Sequence, residues 1–186
     1  MIEQAKSKDK YENLTFLQFD CLEIHQTFGQ NEFNFLFSNF GGLNCLSKEE
    51  LLSFFENIGI ILEQNSKLGL IIMPKNTLWE QFYFSLKGKF SEAFRRKKES
   101  VRATVATESI VTFYYNPKDI VTLAKRTFKC IEYKPIGFFI PPSYLEPFVK
   151  KHPLVFKILN KLDNWIKNWS FLSKYADHYI IVLEKK

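Results

Sequence analysis

The longest coherent pattern of apolar and polar positions runs from Phe33 to Leu62, FNFLFSNFGGLNCLSKEELLSFFENIGIIL. Near-continuous apolar residues over Phe33–Phe37 predict a strand covered on both faces. A polar loop containing Gly41 and Gly42 follows. Ser47 and Glu50 carry the S-x-x-E signature of a capping box. Leu51, Leu52, Phe54, Phe55, Ile58 and Leu62 then recur at helical spacing. Strand, loop and helix make one unit of an α/β domain, with the loop at the carboxyl end of a strand, where open α/β sheets hold ligands.

The flanking segments extend that pattern. Residues 2–9 read as the last turns of a helix. Residues 14–19, LTFLQF, read as a short strand of β formers that ends at Asp20, with a loop or single helical turn over Cys21–Ile24. Leu68–Met73 reads as a buried strand stopped by Pro74. Over residues 77–98 aromatic positions alternate with polar ones, Gly88 divides two short helices, and Arg95-Arg96-Lys97-Lys98 closes the stretch. Val101–Val105 and Ser109–Tyr115 alternate as a hairpin does. Asn116 caps a helix that has Pro117 at its first position and runs to about Thr127. Phe128–Tyr133 reads as a strand extended by Gly137-Phe138-Phe139 and ended by Pro141-Pro142. Tyr144–Trp169 reads as mainly helical, and Asp177–Glu184 as the final strand. This order predicts a single α/β domain over residues 1–186, with a mostly parallel sheet and a helix-plus-hairpin cap at about residues 77–115.

Composition narrows the function classes. The chain has 186 residues, 46% of them hydrophobic, enough for one core, and its seven Gly and seven Pro exclude fibrous and low-complexity classes. The net charge of +6 fits either a lysine-rich solvated surface or an anionic partner. The polar opening MIEQAKSKDKYEN is not a secretory leader, and charged residues interrupt every apolar run before the length of a membrane span. Cys21, Cys45 and Cys130 lack metal or redox spacing and read as small buried apolar residues of a reduced, cytoplasmic chain. His25, His152 and His178 are scattered, so no metal site is expected. Asp177 and His178 tempt as an acid–base pair, but neighbours on a strand point to opposite faces, which favours a structural role. No nucleophile elbow and no RNA-reading aromatic signature is present, so no nucleic-acid partner is expected.

LTFLQFDCLEI, FNFLFSNFGGLNCL, GFFIPPSY and ADHYIIVLEK, in this order and spacing, resemble the later part of the class I S-adenosylmethionine-dependent methyltransferases. They match the third strand with its acidic loop, the fourth strand with its loop, and the closing antiparallel strands. LWEQFYFSLKGKFSEAFRRK resembles the substrate-side insertion of a small-molecule subgroup. The resemblance implies an incomplete Rossmann-like sheet, mostly parallel with an antiparallel last strand and helices on both faces. The family's opening strand, glycine-rich turn and ribose-binding acid have no counterpart, which implies a truncated methyltransferase.

The resemblance also implies residue roles. Asp20 accepts a hydrogen bond from the adenine amino group, the Cys21 backbone contacts a ring nitrogen, and Leu22 belongs to the same loop. An ionised carboxylate suits this role because it only accepts; the alternative is that Asp20 caps the turn at Leu22–Glu23. Ser38, Asn39, Phe40 and Gly41 wall the cofactor's methyl side, or form a plain strand-to-helix turn. Asn44 orients a substrate polar group or bonds within its loop. Trp79, Tyr83, Arg95 and Tyr115 line the acceptor side or serve the core. The same aromatic-basic cap suits an anionic membrane or a partner protein. The acceptor is expected to be a small molecule and no catalytic residue is assigned. Without the glycine turn and ribose acid, S-adenosylmethionine binding is expected to be weak. The open edge of the strand at Phe33–Phe37 is expected to favour self-association.

Overall fold

A computed structural model describes residue 3 and residues 13–105, 108–142 and 145–186, with the side chains of 103–105 and 108 outside the description. The helix expected at residues 2–9 lies almost wholly outside the described residues, as does Tyr144. After a 3-10 turn, Cys21–Glu23, and a single turn α1 (Ile24–Thr27), the chain forms β1 (Phe33–Ser38), α2 (Lys48–Ile61) and β2 (Leu62–Ile72). The cap follows: α3 (Leu78–Leu86), α4 (Phe90–Ala93), the turn Arg95–Lys97, and the hairpin β3 (Val101–Val105) and β4 (Glu108–Thr112). Then come α5 (Pro117–Ala124), β5 (Phe128–Ile136), α6 (Glu146–Lys151), α7 (Pro153–Ile166), a turn Ser170–Lys174 and β6 (His178–Lys185).

The main sheet has the order β1-β2-β6-β5. β1 and β2 are parallel, and β6 is antiparallel to both β2 and β5. The last strand is therefore the one that reverses, as expected. Period-two alternation sends Leu36, Leu68, Leu70, Ile72, Tyr179, Ile181 and Leu183 to one face. There they join Leu51, Phe54, Phe55, Ile58 and Ile61 of α2 and Ile120 and Ala124 of α5 in one buried cluster. α2 starts at the predicted capping box: Ser47 Oγ accepts from the Glu50 N–H at 3.2 Å and Glu50 Oε2 accepts from the Ser47 N–H at 2.7 Å. Asn116 and Asp119 form a second box at α5, with Pro117 in its first turn.

The opposite face is more open. Phe35 and Phe37 stack there at 6.4 Å and remain 57% and 47% exposed. Gly69 of β2 lies under Phe37, whose ring stands 3.0 Å from where a Cβ would be, so any larger residue would push the ring off the sheet. Among the described residues β1 is an edge strand of this sheet.

Five expectations need correction. The strand at Phe33–Phe37 is covered on one face only, because Phe35 and Phe37 on the other stay about half exposed. Residues 14–19 form no strand: β propensity needs a neighbour to pair with, and Phe19 instead packs edge-on against Phe28, which packs against Phe33. Gly137-Phe138-Phe139 does not extend β5, because Gly137 takes φ +68 and Asp163 accepts from the backbone N–H groups of Gly137 and Phe139 at 3.2 and 2.8 Å. Leu62 is the first residue of β2 rather than the end of a helix. Cys45 is exposed rather than buried.

One buried side chain ties the loop after β1 to the rest. Asn44 is fully buried, accepts from the Met73 N–H at 2.9 Å, and donates to the carbonyls of Met73 and Phe113 at 3.2 and 2.6 Å. An ionic cluster ties the cap to the sheet. Glu80, buried on α3, receives Arg95 through two nitrogens at 3.1 and 3.0 Å and Arg96 at 2.7 Å. Arg96 also donates to the carbonyl and carboxylate of Asp177, at the foot of β6, and lies over the Tyr114 ring. Burial alone would raise the Glu80 carboxyl, but the Arg95 hydrogen bonds and the Arg96 charge outweigh it and hold it below its ordinary value.

Two outcomes follow from these anchors. Asn44→Ala strands a buried N–H and two carbonyls, and is expected to lower stability by about 3 kcal/mol in urea unfolding; a loss under about 1 kcal/mol would show that water or relaxation replaces the bonds. Glu80 has a depressed folded value, so its contribution is present above the unfolded value of 4.5 and lost as pH falls through and below it. Unfolding midpoints followed from neutrality to about pH 3 should therefore fall more steeply for the native chain than for Glu80→Gln. Equal slopes would remove Glu80 as the titrating anchor.

Candidate functional site

β1 ends at Ser38, and the chain turns on two left-handed residues. Phe40 has φ +54 and Gly41 φ +64. Gly41 is held there because its N–H donates to the Ile71 carbonyl at 3.1 Å, and a Cβ would meet Asn44 Oδ1 at 3.1 Å and the Met73 side chain at 3.2 Å. Asn39 helps by accepting from the Phe40 N–H at 2.8 Å. Phe40 has no glycine's freedom, and its ring is 87% exposed. A non-glycine residue in this region is strained. Here the strain places an aromatic ring in solvent at the carboxyl end of a strand.

Asp20 sits at the head of the 3-10 turn. Its Oδ1 accepts from the Leu22 N–H at 2.9 Å, and its other carboxylate oxygen makes no hydrogen bond among the described residues. Asn57 of α2 donates to the Leu22 carbonyl at 2.7 Å and pins the turn to the helix that follows the loop. Burial raises the Cys21 thiol, the Asp20 charge adds to it, and Cys45 and Glu50 contribute further. Cys21 and Leu22 pack against the cluster that includes Leu43. The Asp20 turn is pinned to α2 through Asn57, the Ser38–Gly41 turn leads toward that helix's first residue, and Asp20 and Phe40 are both exposed.

The other candidates divide by what already occupies them. Both amide protons of Asn44 are used internally. Arg95 is committed to Glu80. Tyr115 is buried, and its hydroxyl donates to the Leu46 carbonyl at 2.6 Å while its own carbonyl accepts from Tyr179. Tyr83 accepts from Lys87, whose ammonium lies over its ring. Trp79 is different: with Leu78, Phe82, Phe138 and Phe139 it lines an apolar groove of about 200 Å³. A larger cavity of about 540 Å³, bordered by Asn76, Asp119, Tyr133 and Lys174, is lined by no residue of either turn. Asp177 and His178 touch at 3.0 Å. Alternation does not separate them because Asp177 precedes β6, and its carboxylate also serves Arg96. Among the described residues no group of His, Cys, Asp and Glu is placed to hold a metal ion.

Met73, Phe113 and Asn57 hold the site in shape, yet no sequence signal marks them. Their partners lie 29, 69 and 35 residues away in the chain.

No protein-family model matches this chain, and no curated protein matches its sequence. Solved structures do match its fold. A Methanosarcina mazei SAM-dependent methyltransferase superposes with a TM-score of 0.57 at 13% identity, covering 98% of this chain and 74% of that one. The PH0226 protein of Pyrococcus horikoshii gives 0.55 at 13%, covering 99% and 64%. A Haemonchus contortus phosphoethanolamine N-methyltransferase, in complex with phosphomonomethylethanolamine and S-adenosylhomocysteine, gives 0.51 at 16%, covering 98% and 39%. The chain thus spans about two thirds to three quarters of the first two neighbours and less of the third. The mixed sheet, its reversed last strand and the helices packed on it are a partial class I methyltransferase fold.

Proposed function

We propose that this chain is the later part of a methyltransferase that uses S-adenosylmethionine and acts on a small molecule. The observation that carries the reading is the strained Phe40–Gly41 turn at the carboxyl end of β1, together with an exposed Asp20 that has one carboxylate oxygen without a hydrogen bond among the described residues. Asp20, with the backbone of Cys21 and Leu22, takes the adenine edge. Ser38, Asn39, Phe40 and Gly41 form the wall on the methyl side. The fold shared with S-adenosylmethionine-dependent enzymes supports this placement.

The cofactor supplies an already activated methyl group, so the chain's task is positioning. On the acceptor side the apolar groove at Trp79 is the strongest surface, with Tyr83 near it on α3. Asn44, Arg95 and Tyr115 act behind the surface, because their polar atoms are engaged within the protein. A flat apolar groove favours an acceptor with an aromatic or aliphatic body.

No glycine-rich turn or ribose acid is identified in this chain. Each charge-assisted hydrogen bond contributes about 1.5–3 kcal/mol, and a micromolar site holds about 8 kcal/mol. Missing two or three such contacts leaves affinity on the order of millimolar. Activity of this chain by itself is therefore proposed to be weak or nil.

A second reading rests on the cap. Phe82, Leu86 and Phe90 are exposed beside Lys87 and Lys89. A chain with no catalytic role would use this surface to dock on a partner protein or membrane.

Isothermal titration with S-adenosylhomocysteine separates the two. Saturable millimolar binding, weakened about tenfold by Asp20→Ala, is expected on the first reading; binding indifferent to Asp20 would sink the adenine assignment. The open edge of β1 is proposed to pair with a second copy. Sedimentation should then show species heavier than 22.0 kDa as concentration rises; a monomer throughout would end that idea.

A further inference from the structure

A further exposed apolar surface lies on α7, apart from the candidate site and the cap. α7 packs inward through Ile166 and through Asp163, whose carboxylate is spent on the Gly137 and Phe139 N–H groups. It turns Leu154, Ile158 and Trp165 outward, at 76%, 59% and 70% exposure. Spacings of four and seven residues put these three on one helical face. Trp165 contacts Trp169, which stacks on Phe171, so the apolar row continues past the helix end as an exposed aromatic cluster.

Charge says what this face suits. Lys151, Lys157, Lys161 and Lys167 are exposed along the same segment and make no salt bridge among the described residues. The acids of the segment are already used: Glu146 pairs with Lys150, and Asp163 caps backbone. A protein partner would need a complementary acidic and apolar groove. A bilayer surface with anionic headgroups offers both chemistries at once, apolar depth under the row and negative charge under the lysines. Tryptophan suits that boundary because its ring is amphipathic. The helix has 14 residues, about 21 Å, and no helix among the described residues is long and apolar enough to cross a membrane. It would lie in the plane.

We propose that α7, with the aromatic cluster that follows it, is a peripheral anchor that seats this protein on anionic lipid surfaces. Leu154, Ile158 and Trp165 enter the acyl boundary, and Lys157 and Lys161, which border that face of the helix, meet the headgroups. Neither the cofactor reading nor the cap takes part.

The test is co-sedimentation of the full chain with vesicles of phosphatidylcholine, alone or with phosphatidylglycerol. Partition onto the anionic vesicles should exceed that onto neutral ones by about tenfold or more and fall in about 0.5 M salt. The pair Ile158→Glu and Trp165→Glu should lower partition at least about tenfold while thermal midpoint and circular dichroism stay unchanged, since both side chains are exposed. Lys157→Glu with Lys161→Glu should remove only the anionic preference. No partition onto anionic vesicles overturns the proposal, as does partition that the Ile158/Trp165 pair does not lower. So does a dimer that dissociates in that variant, because a second copy would then cover the face.

Discussion

Asn44 has no contact with water, and its amide joins three segments that are far apart in the chain. It holds the end of β2 at Met73 and the exit of the cap hairpin at Phe113, and it does so from inside the loop that leaves β1. The same oxygen that accepts from Met73 stands 3.1 Å from the space a Gly41 Cβ would need. The left-handed turn, the glycine and the exposed Phe40 ring are therefore one constraint rather than three. A buried amide with all its bonds made is close to neutral for stability, while one with bonds broken leaves several polar groups stranded. That asymmetry gives the loop a single shape before any ligand arrives.

What could be read in advance was local. Ser47, Glu50 and the apolar spacing of α2 declared the helix and its first residue, and β6 alternated as written. β2 was only half legible: its first residues, Leu62 to Lys67, are mostly polar, and their place beside β1 comes from the parallel pairing of Phe33 with Leu62. Residues 14–19 show the converse. Their side chains suit a pleated surface, but propensity carries no information about whether a neighbouring strand exists. The candidate site was legible to the same degree. Asp20 and the Gly41 turn fall at segment ends, where a sequence is easily parsed. Arg95 and Tyr115 could not be resolved into binding or structural roles, since the partners that commit them, Glu80 and Leu46, are matters of tertiary packing.

The sheet is asymmetric in a way that bears on function. One face is sealed by α2 and α5, while the other carries the stacked Phe35 and Phe37 over Gly69. Gly69 is the small residue that leaves room for the Phe37 ring, which stands 3.0 Å from where a Cβ would be. A stacked, half-exposed aromatic pair on a strand that has one unpaired edge among the described residues is a surface suited to further protein. The solved structures with this fold are longer than this chain, so their fold includes elements with no equivalent in the part matched here.

These features meet at β1. Among the described residues its edge has no partner along one side, and its carboxyl end delivers the strained turn at Phe40. On the proposed reading, the contacts that a cofactor lacks and the neighbour that the edge lacks belong to the same side of the strand. A segment pairing along β1 would run next to Ser38 and change what the turn can hold. Ligand affinity and association state are then linked quantities: whatever factor an added strand contributes to cofactor binding, bound cofactor returns to the pairing of that strand. On that reading, weak cofactor binding and an edge open to pairing would be one property, seen once from the turn and once from the sheet.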